Sequence, residues 1–463
     1  MPELSRSLQP RHITMISIGG IIGAGLFVGS SASIAATGPA IVLSYVITGT
    51  LILLVMRMLG EMALALPQVR SFTEFARAGL GPWAGFVAGW LYWYFWIIVV
   101  PVEAIAGANI LHGWLPAPAW LLGLVLMGIM TAVNLMSARS YGEFEFWFAS
   151  IKVAAIIVFI ALAAAFAFGL TSSSGPTFSN LTAYGGFMPK GFLAVLAGAV
   201  TVYFSLTGAE ITTIAAAESQ EPARAVARMS SSVVLRILTF YVGSVLLIVA
   251  AVPWVQVHPG ESPFTLVLTT MHFGWASLAM SAIILTAVLS CLNSAFYVCS
   301  RVLFVLAEHG DAPQWLVQVN ERRVPTRSVW MGSMAGVLGI LAAITAPQTV
   351  FAFLVNASGA CSVFVYMIIA AAHIRLRRER EARGVPEPAV SMWLFPWASY
   401  AAILGMAAVL VAMALTPGEM SQEFRWSMVS LAAAVGAFLV VNARRKARGA
   451  MGLAPVAPPA DRS

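Results

Sequence analysis

Twelve apolar runs, each long enough to cross a lipid bilayer as a helix, constrain this chain more than any single motif does. They lie near residues 14–37, 40–66, 83–111, 119–137, 145–169, 191–217, 231–252, 277–306, 329–346, 349–373, 393–415 and 424–442. A hydrocarbon core takes roughly 20 residues of helix, whereas a barrel strand is about 10 residues of alternating polarity. The runs follow the first pattern. Only 10% of the 463 residues are charged and 60% are hydrophobic, against about 25% charged in a soluble domain. The expected fold class is therefore an all-α polytopic membrane protein with 12 transmembrane helices.

The opening residues are polar, carry no small-residue cleavage site and lead into the first run, so a removable signal peptide is not expected. Cys291, Cys299 and Cys361 fall inside apolar runs without disulfide or metal spacing and read as buried small hydrophobes. Basic residues orient the chain. Lys190 and Arg425 border loops of one side and Lys152 lies within a run. The others, among them Arg70, Arg77, Arg139, Arg224, Arg228, Arg322, Arg323 and the cluster from Arg375 to Arg383, lie in or beside the tails and alternate loops. Lys and Arg stay on the cytoplasmic side, which places both termini there. The pI of about 9.6 is thus a topology signal, and no nucleic acid partner is expected. Arg444, Arg445, Lys446 and Arg448 read as an anchor beside anionic headgroups, with a specific lipid site as the alternative.

Two runs carry breaks. The first reads Ile18-Gly19-Gly20-Ile21-Ile22-Gly23-Ala24-Gly25-Leu26-Phe27, and the sixth holds Phe204-Ser205-Leu206-Thr207-Gly208-Ala209-Glu210 at similar depth. Glycine weakens a helix and lets backbones approach closely. With breaks in the first and sixth runs the repeating unit has five spans, and an odd number makes the second copy enter from the opposite face. The expected organisation is a tail 1–13, a first five-helix repeat 14–169, an inverted second repeat 191–373, two further helices in 393–442 and a tail 443–463. Paired interrupted segments of this kind point to a transporter binding site, because a broken helix frees N–H groups for an anion and C=O groups for a cation. Such glycines also serve simple helix packing; the matching sixth run favours the substrate site.

Ionisable residues deep in lipid need a reason, at about 2.5 to 3.5 kcal/mol each. Glu103 lies behind Pro101 in the third run, Lys152 in the fifth and Glu210 just after the sixth-run break. A desolvated lysine can gain and lose a proton near neutral pH and so couple transport to a proton gradient; alternatively Lys152 pairs statically with a carboxylate such as Glu210. Glu210 is a proton relay, a gate or that static partner. Glu103 either meets substrate or proton, or satisfies a neighbouring polar group. Ser290, Asn293 and Ser294 form a polar patch that faces the first-run break or bonds a neighbouring helix. The aromatic stretch from Trp90 to Trp96 walls a cavity or belongs to an interface belt, and Glu143 and Glu145 complement a helix dipole. None of the three lysines, Lys152, Lys190 and Lys446, follows a glycine, so no phosphate-binding loop and no ATP-driven step are expected. No catalytic centre, metal site or cofactor is expected either.

The chain resembles the amino acid permeases of the amino acid-polyamine-organocation (APC) superfamily, most closely their gamma-aminobutyrate (GABA) branch. The resemblance rests on Arg11 to Met15, Gly23 to Ser31, Met56-Arg57-Met58-Leu59-Gly60-Glu61-Met62, Tyr141 to Trp147, Gly186-Phe187-Met188-Pro189, Gly208-Ala209-Glu210, Ala215 to Ser219, Ser290 to Ser294 and Gly310-Asp311-Ala312-Pro313. It implies a LeuT-type fold of five plus five inverted helices followed by two more. It also implies import of gamma-aminobutyrate or a related amino acid by proton symport across the bacterial inner membrane. A permease or exchanger for an alpha-amino acid such as proline is the alternative. A non-transporting sensor would call for a signalling domain or a longer tail. The resemblance further implies that Ile22, Gly23, Ala24 and Gly25 hold the substrate carboxylate and that Phe204, Ser205, Thr207 and Gly208 receive its amine, beside Glu103. Lys152 would stand where sodium-coupled relatives bind an ion, Glu210 would support proton coupling, and Asn293 and Ser294 would assist.

Overall fold

Large apolar side chains cover the outside of this molecule as well as its core. Leu278, Met334, Leu404 and Leu439 are at least 60% exposed, a surface that suits hydrocarbon rather than water. The computed structural model describes residues 21–67, 69, 71–136, 138–171, 175–208, 210–211, 238–272, 274–345 and 347–450, and contains no strand among them. Seven stretches of the described residues are long and apolar enough to cross a membrane, and the apolar helices Ala119–Asn134, Gly191–Leu206 and Leu238–Ala251 are shorter.

The described chain enters through a π-helical turn, Gly25–Gly29, that leads into α1 (Ser30–Thr37). There follow α2 (Ile41–Ala65), α3 (Phe72–Leu80), α4 (Pro82–His112), α5 (Ala119–Asn134), α6 (Ala138–Ala167) and α7 (Gly191–Leu206). The remainder comprises α8 (Leu238–Ala251), α9 (Pro263–Thr270), α10 (Gly274–Glu308), α11 (Thr326–Ala343), α12 (Pro347–Ala382), α13 (Trp397–Leu415) and α14 (Glu419–Ala450). A helix lies in each of the twelve apolar runs. Several outlast their run: α6 starts at Ala138 rather than 145, α12 continues to Ala382 rather than 373, and α14 spans Glu419–Ala450 rather than 424–442. The run measures the stretch that lipid must cover, whereas a helix carries its own backbone hydrogen bonds onward into the polar interface. The short α3 was not expected. The tail 1–13, Gly19, Gly20, Ala209, the distal part of the sixth run and the last residues from 451 lie outside the described residues.

Central in the bundle is α4, which packs against α3, α5, α10, α11, α12 and α14, while α7 packs against α1, α2, α12, α13 and the π turn. Several basic residues gather at one end. Arg77 and Arg445 both pair with Asp311, Arg57 donates to the Ser391 carbonyl, and Arg377 and Arg380 reach Glu61.

Candidate functional site

Ile21 to Gly23 form a turn and bend rather than a helix, and helical structure begins at Ala24, just within the glycine cluster; the part of the first run before Ile21 lies outside the described residues. A π-type turn next to the bend is a common mark of a functional position. Two glycines are needed here for close approach. A Cβ at Gly25 would stand 2.8 Å from the Ser205 Cα, and one at Gly23 would stand 2.7 Å from both Cys291 Sγ and Glu103 Oε1. The opposing break falls slightly later than expected. Phe204 and Ser205 still belong to α7, which ends at Leu206; Thr207 is extended, with φ −67° and ψ 139°. Gly208 has φ 130°, a conformation that only glycine adopts readily.

A break inside lipid frees backbone groups that must find partners, and here side chains supply them. Tyr241 donates its hydroxyl to the Ile21 carbonyl at 2.9 Å. Lys152 Nζ donates to the Ile22 carbonyl at 3.0 Å. The Ala24 N–H donates to both Glu103 oxygens, each at 3.1 Å, and Ser205 Oγ donates to the Gly25 carbonyl at 2.8 Å. The Glu103 carboxylate thus sits on the amide expected to receive the carboxylate of a substrate. Cys291 also hydrogen-bonds that carboxylate.

Lys152 is fully buried and forms an ion pair with Glu145, 3.7 Å away; in the static-pairing alternative, Glu145 rather than Glu210 is the carboxylate. Ser290 bridges the two, accepting from Lys152 at 2.7 Å and donating to Glu145 at 2.6 Å. Glu145 was expected to serve the helix dipole; with α6 starting at Ala138 it lies beyond the first turn and belongs to this buried cluster instead. Its signal in the sequence is the seven-residue spacing to Lys152, two turns along one helix face. Glu210 stands apart, accepting hydrogen bonds from Tyr92 at 2.9 Å, Tyr366 at 2.7 Å and the Gly208 N–H at 3.1 Å. The tyrosines carry no comparable signal in the sequence. Ser294 bonds Glu145, whereas Asn293 turns away from the first break and accepts from Asn134 Nδ2 at 2.8 Å. The polar patch of α10 thus divides between the site and helix-to-helix bonding. The aromatic stretch divides too, with Phe95 and Trp96 lining the site and Trp90 and Trp93 only partly buried.

Between the two breaks remains a void of about 10 Å³, lined by Ile21, Gly25, Glu103, Phe204, Thr207 and Cys291 among others. A single water needs about 10 to 15 Å³ on this measure, so an amino acid enters only when these walls part. A much larger cavity, about 660 Å³, lies toward the end of the bundle away from the basic residues and includes Val28, Gly29, Asn109, Thr201, His258 and Glu261 in its lining. Its floor is one helical turn from Gly25.

Comparison with known proteins gives three findings. The family described as Amino acid permease matches residues 12–448. A gamma-aminobutyric acid permease of Bacillus subtilis is 46% identical, covering 89% of this chain and 88% of its own, and a probable GABA permease of Pseudomonas aeruginosa is 45% identical over 96% and 94%. Among solved structures, a variant of a manganese transporter from Eremococcus coleocola superposes with a TM-score of 0.59, covering 94% of each chain at 12% identity. That likeness shows a shared LeuT-like transporter fold.

Proposed function

This chain belongs to the amino acid permease family, and we propose that it imports gamma-aminobutyrate or a related amino acid by proton symport across the bacterial inner membrane. The observation that carries the reading is the pair of hydrogen bonds from the Ala24 N–H to the Glu103 carboxylate. The broken first segment presents an amide donor to a buried carboxylate, which is the chemistry a substrate carboxylate requires. Glu103 fills that seat while the site is closed, and substrate takes it over as Glu103 withdraws. Gly23 and Gly25 admit the backbone to the ligand, and the Thr207–Gly208 break with Phe204 and Ser205 faces the amine. Two related chains named for gamma-aminobutyrate, at 46% and 45% identity, support that substrate.

Lys152 supplies the proton step in this reading. Its ammonium holds the Ile22 carbonyl directly and Glu145 through Ser290, so loss of the proton slackens the turn that binds substrate. Glu210, clasped by Tyr92 and Tyr366, braces the sixth segment. The wider arrangement belongs to the same proposal: twelve spans, five plus five inverted and two more, with both termini cytoplasmic. Uptake of labelled gamma-aminobutyrate into proteoliposomes under an inward proton gradient tests it. Accumulation is expected to collapse with a protonophore; accumulation that ignores the protonophore removes the proton, and stronger competition by proline than by gamma-aminobutyrate reassigns the substrate.

A further inference from the structure

A second polar cavity, about 190 Å³, lies at the basic end between α2 and α12. Its acidic members are already occupied. Glu61 accepts from His373 Nε2 at 3.0 Å, Arg377 Nη1 at 3.2 Å, Arg380 Nη2 at 2.7 Å and the Met392 N–H at 2.7 Å. Glu379 takes Arg375 Nε at 3.0 Å. Polar groups are left over on the same lining. Arg380 Nε and His373 Nδ1 are buried without a hydrogen bond among the described residues, and His373 is 1% exposed. The Arg383 guanidinium likewise bonds none of the described residues. Ala65, Leu66 and Val385 add an apolar ledge to the same lining.

We propose that this cavity binds a phosphate group, carried either by an anionic phospholipid headgroup or by free phosphate. Arginine forks match the tetrahedral, acceptor-rich surface of a phosphate. Basic pockets between membrane helices on the side that retains Lys and Arg are natural seats for anionic headgroups, and the ledge accommodates the glycerol end of a lipid. A bound phosphate would brace the junction of α2 with α12 at Glu61. The site is separate from the transported substrate and stands whether or not the substrate assignment holds.

The test is thermal unfolding of the purified, detergent-solubilised full chain with phosphatidylglycerol, phosphatidylethanolamine or inorganic phosphate. Two variants accompany the native chain. Arg383→Gln removes a cation that no described residue uses, and Arg380→Lys keeps a charge opposite Glu61 but removes Nε. Phosphatidylglycerol is expected to raise Tm more than phosphatidylethanolamine, with half-saturation about tenfold weaker in both variants, the loss of one charge-assisted bond. A comparable rise with inorganic phosphate assigns the site to the free anion, and a rise with phosphatidylglycerol alone assigns it to the lipid. No rise with either, or equal half-saturation in native chain and variants, overturns the proposal.

Discussion

In the proposed reading Glu103, besides Lys152, couples pH to substrate through a competition for one backbone amide. As a carboxylate it is a pure acceptor and holds the Ala24 N–H with both oxygens. An incoming substrate carboxylate meets a like charge at that seat. A proton on Glu103 removes the repulsion and weakens its hold, so substrate binding takes up a proton and affinity falls as pH rises. Glu103→Gln keeps the size and removes the titration. Its affinity for gamma-aminobutyrate should be nearly flat across the mildly acidic to mildly alkaline range, where the native chain loses about tenfold or more, the scale of one hydrogen bond to a charged group. Equilibrium binding to the two proteins over that range decides it. A variant with the native slope would assign the titration elsewhere.

At the scale of elements, the buried cluster ties α6 and α10 to the first broken segment. Lys152→Ala leaves Glu145 buried without its ammonium, an effect of about 3 to 5 kcal/mol when one partner of a buried pair is removed. The double change Lys152→Met with Glu145→Leu removes both charges, so Tm should recover while proton-driven accumulation stays lost. Recovered accumulation in the double variant would show that Lys152 serves only the fold. Gly25→Val presses a branched side chain against the Ser205 backbone, 2.8 Å from where its Cβ would stand. Overpacking of about 1 to 3 kcal/mol should separate the first segment from α7 and abolish binding, read as lost affinity; native affinity would mean the segments part without consequence. The all-helical class was legible, because a long apolar run buried in lipid must satisfy its backbone within itself, and seven stretches of the described residues are long and apolar enough to cross a membrane. The end of α7 at Leu206 was legible to within a few residues, because the small polar residues and glycine that follow weaken a helix there. Partners were not: Lys152 could be seen to need a carboxylate, but choosing Glu145 over Glu210 depends on which helix faces which. Likewise Arg375 to Arg383 read as a marker of sidedness, and nothing in their spacing revealed that Glu61, far earlier in the chain, gathers Arg377 and Arg380.

For the molecule as a whole, the contrast between an outer cavity of about 660 Å³ and an inner void of about 10 Å³ defines a state. The route from the end away from Arg77 and Arg377 reaches to within a turn of Gly25 and the proposed substrate seat, and packing closes the rest. Alternating access then requires the outer cavity to shrink as substrate is engaged. Cysteine labelling reads both this motion and the orientation. The three native cysteines are buried and form no disulfide, so background labelling should be low. Ser281→Cys places a thiol on the outer cavity, and Ala65→Cys places one on the cavity at the basic end. A membrane-impermeant maleimide added to intact cells should modify the first and spare the second, and gamma-aminobutyrate should slow the modification of Ser281→Cys as the cavity closes over it. The reverse pattern would invert the chain in the membrane. Labelling of Ser281→Cys that gamma-aminobutyrate leaves unchanged would mean that the outer cavity takes no part in the transport cycle.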